Sequence, residues 1–192
     1  RDAGAIQAAF ARQFGGTRIP AEEIEKIVGT LDEHGFLVSP RFEAMLAAAR
    51  QQFAALDVRP AFLAGNGYPD SAEELTRYIE EMFTRAGGPG TVASRCSDEG
   101  APLPCLVVPH IDFERGGHSY AHGYAAMAAR GKPEVVFVFG VAHRGQPVPF
   151  ILTRKHFETP LGTVHTDGEI VDRLAEAAAW DPFAYELTHR TE

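Results

Sequence analysis

The sequence predicts an α/β protein, in which a parallel-type sheet flanked by helices follows a small helical domain. Two short apolar runs, Cys105–Phe113 and Val135–His143, each deliver a histidine at or near their end. The alanine-rich stretch between them, Ser119–Arg130, is long enough for a crossover helix, so the unit is predicted to be strand, helix, strand. The carboxyl ends of parallel strands share one sheet edge, and we therefore expect His110 and His143 to face one crevice.

The first part of the chain predicts a separate helical domain. Apolar residues at helical spacing indicate three helices before residue 58, with a short extended piece at Phe36–Val38 before the third. That order resembles part of a winged-helix module, but its balanced charge favours a dimerisation or docking domain over DNA binding. Nearly all the excess negative charge follows this part, so we predict the domains 1–58 and 59–192.

The second domain is predicted to contain further helices, strands and loops around the two organising runs. Its helices begin after residues that commonly cap helices, and glycine and proline mark its turns. In chain order we expect a linker at Val58–Pro60, a helix capped by Asp70 or Ser71 and ending near Phe83, a loop at Gly87–Pro104, a third strand at Pro149–Thr153, a turn at Glu158–Thr163, and a final helix at Ile170–Ala179 capped by Asp167.

Composition excludes several classes of function. The chain has 192 residues, 45% of them hydrophobic, and a formal net charge of -8, which opposes nonspecific binding to nucleic acid. No apolar run is long enough to cross a membrane. Two cysteines without a CxxC pattern indicate neither a disulfide framework nor a zinc knuckle, so a reducing cytoplasm is expected. Without an initiator Met, the chain is expected to lack its true beginning.

The two histidines at the strand exits predict a metal site. Neutral imidazoles on rigid backbone, converging from separate elements, are common ligands of divalent metals. Asp112, two residues after His110, could be an outer-sphere acceptor or a carboxylate ligand. His122, in the first turn of the predicted crossover helix, could lean over the same crevice as an acid or base. Gly116 and Gly117 would let backbone approach a ligand closely.

Simpler roles compete with each of these. A single histidine after a strand is more often a structural hydrogen-bonding residue than a ligand, and only the pairing of two raises the metal hypothesis. His118 and His165 are predicted to be solvated loop residues, and His156 a surface residue. Cys105 is predicted to be a small core residue, and Cys96 to lie in the long loop. No dinucleotide, P-loop or serine-hydrolase motif is present.

Five motifs carry a family resemblance. They are Ala64-Gly65-Asn66-Gly67-Tyr68-Pro69, Val108-Pro109-His110, Ala121-His122-Gly123-Tyr124, Gly140-Val141-Ala142-His143 and Glu158-Thr159-Pro160-Leu161-Gly162. Their order and spacing resemble the Memo family, also called AmmeMemoRadiSam system protein B, from about residue 60 onward. The segment before residue 60 is similar to the N-terminal extension of some bacterial members.

The resemblance implies an incomplete LigB-like fold, that of the class III extradiol dioxygenases, in which two histidines and a third ligand hold a non-haem iron. By position His110 and His143 match the family's metal histidines, and His122 matches a histidine on its crossover helix. The third ligand is a cysteine of the later half of the family domain, and neither Cys96 nor Cys105 matches it. The ending His189-Arg190-Thr191-Glu192 resembles the start of a longer family segment, so truncation is expected there too.

The function implied is that of a non-haem metal protein, with iron (Fe²⁺) expected and other divalent metals left open. His110 and His143 would bind the metal, and His122 or Asp112 would move protons in redox or oxygen chemistry on a small-molecule or peptide substrate. The family also implies radical SAM and AMMECR1-like partners. The alternative is a non-catalytic module that binds a peptide or an anion on the same fold, and whether the protein is an enzyme stays open.

Overall fold

A computed structural model describes residues 2–91 and 101–191, and Cys96 lies outside them. The chain divides into two compact units, Arg1–Ala55 and Leu56–Glu192. The first unit is helical, and the second combines helices with a small sheet.

The first unit consists of three helices: α1 (Ala3–Gln13), α2 (Ala21–Glu33) and α3 (Pro40–Ala54). Ser39 caps α3 by accepting a hydrogen bond from the Phe42 amide at 3.2 Å, as serine commonly does at this position. Ile24 and Phe53 are its buried apolar side chains. Its described residues contain no strand, so the extended piece predicted before α3 is wrong and the winged-helix resemblance is not confirmed.

The second unit contains a three-stranded sheet in the order β1 (Val58–Arg59), β2 (His156–Thr159), β3 (Gly162–Val164). β1 pairs with β2 in parallel, and β2 pairs with β3 as an antiparallel hairpin. The predicted turn at Glu158–Thr163 thus overlaps the ends of two strands. Residues predicted as a linker form β1, and the third strand predicted at Pro149–Thr153 is not formed.

The parallel sheet predicted from the two organising runs is wrong for this chain. Neither run takes part in strand pairing among the described residues. Val107 is 90% exposed, and Val138 and Phe139 are each 86% exposed. A β-branched, aromatic run is stable as an inner strand only when neighbouring strands supply hydrogen bonds and layers cover both faces. The apolar pattern therefore identified segments suited to a strand, but no strand pairs with them in the part of the chain that the structure describes.

Two helices build the main apolar core of the second unit. α4 (Ala72–Thr84) begins after Ser71, whose hydroxyl accepts a hydrogen bond from the Glu74 amide at 3.1 Å. α5 (Phe113–Ala128) packs against it. The core between them consists of Met82, Phe83, Ala121 and Ala125, bordered by Tyr78, Ile79 and Phe113.

The unit ends with α6 (Gly168–Ala177) and a short 3₁₀ helix, Glu186–Arg190. Asp167 caps α6 by accepting from the Ile170 amide at 3.0 Å, as predicted. The guanidinium of Arg59 lies 5.4 Å from the centre of the Phe157 ring and donates to the carbonyl of His189. This contact ties β1 and β2 to the 3₁₀ helix.

None of the helices in the described ranges is long and apolar enough to cross a membrane.

Candidate metal centre

His110 and His143 lie side by side. The centres of their imidazole rings are 5.4 Å apart, and the ring planes are tilted by 50°. Both residues are exposed to solvent. The proximity predicted from the two runs is therefore observed, although the sheet edge that motivated it is not formed. Their role as metal ligands remains a prediction.

The spacing of the two rings fits a shared ion. An imidazole nitrogen lies about 2.0–2.1 Å from a bound zinc ion, which puts the centres of two imidazoles on one tetrahedral ion about 5 Å apart. The observed separation of 5.4 Å is close to that value. Across residues 2–91 and 101–191, no group of three or more His, Cys, Asp or Glu side chains could hold a metal. The pair by itself would supply two ligands.

The segment before α5 is held by that helix. The Tyr120 hydroxyl donates to the carbonyl of Ile111 at 2.8 Å, one residue after His110. A Cβ atom placed on Gly123 would lie 2.8 Å from Cγ1 of Val108, so the segment leading to His110 packs directly on the glycine. Sequence reasoning missed both supporting residues. The small residue at Gly123, on a helix next to the site, is the signal that could have identified one of them.

Asp112 has a structural role that the sequence did not reveal. It is the N-cap of α5, accepting from the Arg115 amide at 2.9 Å, and its other oxygen accepts from Nε of Arg115 at 2.6 Å. These hydrogen bonds to Arg115 lower the pKa of the Asp112 carboxyl below its usual value. The carboxylate is therefore engaged at the helix start, and its predicted role in proton transfer or metal binding stays a prediction.

His122 makes its observed contacts away from the helix start. Because α5 begins at Phe113 rather than at Ser119, His122 lies in the interior of the helix and not in its first turn. Its Nε2 lies 2.9 Å from the carbonyl oxygen of Gly87, and its ring contacts the ring of His118, with centres 4.8 Å apart. Its predicted role in moving protons at the histidine pair stays a prediction.

The glycines expected to approach a ligand are packing residues instead. Gly116 and Gly117 lie inside α5 and are buried. A Cβ on Gly116 would lie 2.8 Å from Cε2 of Tyr120, and one on Gly117 would lie 2.9 Å from Sδ of Met82 in α4. Because a glycine pair commonly interrupts helices, the prediction started the helix too late. Here the missing side chains allow close packing.

The other predictions for histidine and cysteine had mixed outcomes. His165 is exposed after β3, as predicted, whereas His118 lies on α5 and not in a loop. His156 is half-buried in β2, where its Nδ1 accepts from the Thr166 amide at 3.1 Å. Its ring contacts that of His165 at 4.6 Å. Cys105 is an exposed free thiol, so its predicted core position is wrong.

These features define a mixed α/β protein in which two exposed imidazoles lie side by side. A helical unit precedes the α/β unit in the chain. Residues 59–192 match the family profile of Memo-like proteins. This match covers more than half of the chain, and the chain belongs to the Memo family.

Curated relatives agree with this assignment. A MEMO1 family protein of Methanobrevibacter smithii is 34% identical over 140 residues, which is 70% of this chain and 50% of the relative. One from Aquifex aeolicus is 29% identical over 189 residues, covering 98% of this chain and 46% of the relative. One from Thermus thermophilus is 28% identical over 177 residues, covering 92% and 51%. The chain thus spans about half the length of these relatives. No solved structure matches it significantly.

Proposed function

We propose that this protein is a non-haem metal protein in which His110 and His143 hold a divalent ion, with iron (Fe²⁺) the expected metal. The observation that carries the proposal is the 5.4 Å contact between the two imidazoles. It supports the proposal because two imidazoles from segments far apart in sequence are separated by about the distance expected of two ligands on one ion. Imidazole is a suitable ligand for iron and also for zinc, copper and nickel.

Bound iron with two imidazole ligands and open positions would supply redox or oxygen chemistry, as in other non-haem iron proteins. The chain's own contribution is to orient the ligands. Tyr120 fixes the backbone at Ile111, and Gly123 provides the surface against which the segment before His110 packs. The ordered backbone would hold the His110 imidazole in place before metal binds, as second-layer contacts do in other metal sites.

Proton transfer at this site is the role proposed for His122 or Asp112. A histidine is suited to it because its ordinary pKa lies near neutral pH. Asp112 is less suited, since its hydrogen bonds to Arg115 favour the ionised carboxylate. For His122 to act, its ring would have to leave the carbonyl of Gly87.

The wider setting is proposed from the family resemblance. The protein would work in the cytoplasm beside a radical SAM enzyme and an AMMECR1-like protein in an AmmeMemoRadiSam-type system. Its substrate would be a small molecule or a peptide. The alternative is a module that binds a peptide or an anion without catalysis, and the test of metal content separates the two.

The test is metal content after anaerobic loading with Fe²⁺ and removal of excess metal. We expect His110→Ala and His143→Ala each to remove the iron that the wild-type protein retains, because each variant leaves a single imidazole. His165→Ala is the matched control, as it removes an exposed imidazole that contacts another histidine elsewhere. Circular dichroism confirms that the variants fold.

Two results would overturn the proposal. One is wild-type protein that retains no metal after loading, which would favour the binding module. The other is iron content that is equal in the wild type and in both variants, which would place the metal elsewhere.

A further inference from the structure

We propose a second site for a divalent transition-metal ion, formed by His118 and His122 on α5. The two residues are four positions apart in a helix, a spacing that puts their side chains on one face. Their ring centres are 4.8 Å apart and both residues are exposed to solvent. Two histidines at this helical spacing are the pair that binds zinc in the His-Glu-x-x-His motif.

The carbonyl of Gly87 prepares His122 for this role. A carbonyl oxygen only accepts hydrogen bonds, so Nε2 of His122, 2.9 Å away, carries the proton and donates it. Nδ1 of the neutral ring then keeps its lone pair for a metal. Metal-binding histidines in general donate their other ring nitrogen to a carboxylate or a backbone carbonyl, which fixes the tautomer and the ring orientation.

Gly87 is also close to the second imidazole. Its φ is +79°, a conformation in which glycine is favoured. A Cβ atom at this position would lie 3.4 Å from Cε1 of His118. The same loop residue thus accepts a hydrogen bond from His122 and leaves only van der Waals space beside the ring of His118.

A second pair of histidines has a similar ring spacing but lacks a free nitrogen lone pair on one of its rings. The rings of His156 and His165 are also close, at 4.6 Å. Nδ1 of His156, however, accepts from the Thr166 amide, so the proton of the neutral ring is on Nε2. Neither nitrogen of His156 then offers a lone pair. This pair is a matched control of similar ring spacing.

The donor set selects the class of metal. Two imidazoles without a thiolate or a carboxylate suit Cu²⁺, Ni²⁺ and Zn²⁺, with Cu²⁺ bound most tightly in the usual order of affinities. Solvent would complete the coordination shell, because both side chains are exposed. Its two ligands differ from those of the His110–His143 pair, so the site does not depend on metal binding at that pair. While it holds a metal, His122 would not be available for the proton transfer proposed there.

The test is calorimetric titration of the full chain with Zn²⁺. The wild type, His118→Ala, His165→Ala and His110→Ala are compared. We expect two binding events in the wild type and in His165→Ala. In His118→Ala the Zn²⁺ affinity of the event at α5 should fall at least ~10–100-fold, the loss that follows removal of an outer-sphere partner. The titration should then show one event fewer. His110→Ala should lose the other event and keep the one at α5.

Failure of this proposal is distinct from failure of the proposed function. Unchanged Zn²⁺ binding in His118→Ala overturns the α5 site, whatever happens in His110→Ala. Equal losses in His118→Ala and His165→Ala also overturn it, because they would indicate nonspecific binding to exposed histidines. Circular dichroism and a second variant, His118→Gln, guard against loss of binding through unfolding, since Gln is compatible with a helix.

Discussion

His189 is a half-buried imidazole whose surroundings disfavour its charge. Burial lowers its pKa, and the nearby Arg59 acts in the same direction. The carbonyl of Ile151, 3.2 Å from Nε2, and the carboxylate of Glu186 act in the opposite direction but do not compensate. In the unfolded chain its pKa would be about 6.5. The folded state therefore binds this proton less tightly than the unfolded state does.

The sign of the pH dependence follows from this difference. As pH falls below about 6.5, the unfolded chain takes up a proton that the folded chain resists, and the free energy of unfolding falls. We expect His189→Asn to remove a part of the slope between pH 7.5 and 5.5. That part is at most ~1.4 kcal/mol per pH unit, the limit for one proton.

Urea unfolding at several pH values measures this slope. His165→Asn, which replaces an exposed histidine, is the control for the substitution itself. An unchanged slope in His189→Asn would show that burial does not disfavour the charge of His189. The lowered pKa of His189 could not be predicted from the sequence, because its burial depends on residues that are distant in sequence.

At the scale of elements, α5 links packing to the candidate metal centre. Gly123 on this helix contacts Val108 and Leu106, in the segment that leads to His110. In Gly123→Ala the new Cβ would lie 2.8 Å from Cγ1 of Val108, and such overpacking typically costs ~1–3 kcal/mol. The higher helix propensity of alanine offsets ~1 kcal/mol of this cost. We expect a net loss of ~0–2 kcal/mol and weaker metal binding at the histidine pair.

Gly29→Ala is the matched control. Gly29 lies in α2, and a Cβ atom added there would meet nothing from the described residues outside that helix within 4 Å. Alanine at this position should therefore stabilise the helix by up to ~1 kcal/mol. Chemical unfolding and metal titration of both variants measure the two effects. Metal affinity in Gly123→Ala equal to that of the wild type would show that the segment before His110 does not depend on its packing against α5.

The elements that the sequence predicted well are those with local signals. α4 and α6 have an apolar stripe and a capping residue, Ser71 or Asp167, and these signals lie within the helix or next to it. The start of α5 was missed because Gly116 and Gly117 resemble a helix break, whereas they are packed against Tyr120 and against Met82 of α4. Such a contact between two helices leaves no local signal.

At the scale of the whole molecule, the apolar runs show where sequence reasoning fails. A run such as Val135–Phe139 predicts a buried strand, but burial depends on neighbouring strands, which a local pattern cannot supply. The proximity of His110 and His143 was predicted from a sheet edge and is observed without that sheet. The five motifs were more reliable, because the family match to residues 59–192 bears out the resemblance that they carried.

Metal binding at the histidine pair should stabilise one of the two compact units and not the other. A ligand that binds only the folded state, at about 100 times its Kd, stabilises it by ~2.7 kcal/mol. For a chain of this size each kcal/mol raises Tm by ~2–4 °C. We therefore expect Zn²⁺, as an air-stable probe, to raise the Tm of His118→Ala by ~5–11 °C. This variant is used because it removes the α5 site and leaves the pair intact.

Hydrogen exchange measured with and without Zn²⁺ locates the stabilisation. Both proposed ligands lie in the unit Leu56–Glu192, so amide protection should rise there, most strongly near His110 and His143, and stay unchanged in Arg1–Ala55. His110→Ala in the His118→Ala background should abolish both the Tm shift and the added protection. Protection that rises equally in the two units would mean that zinc acts outside the pair, because a local site can stabilise only the residues whose unfolding releases the metal.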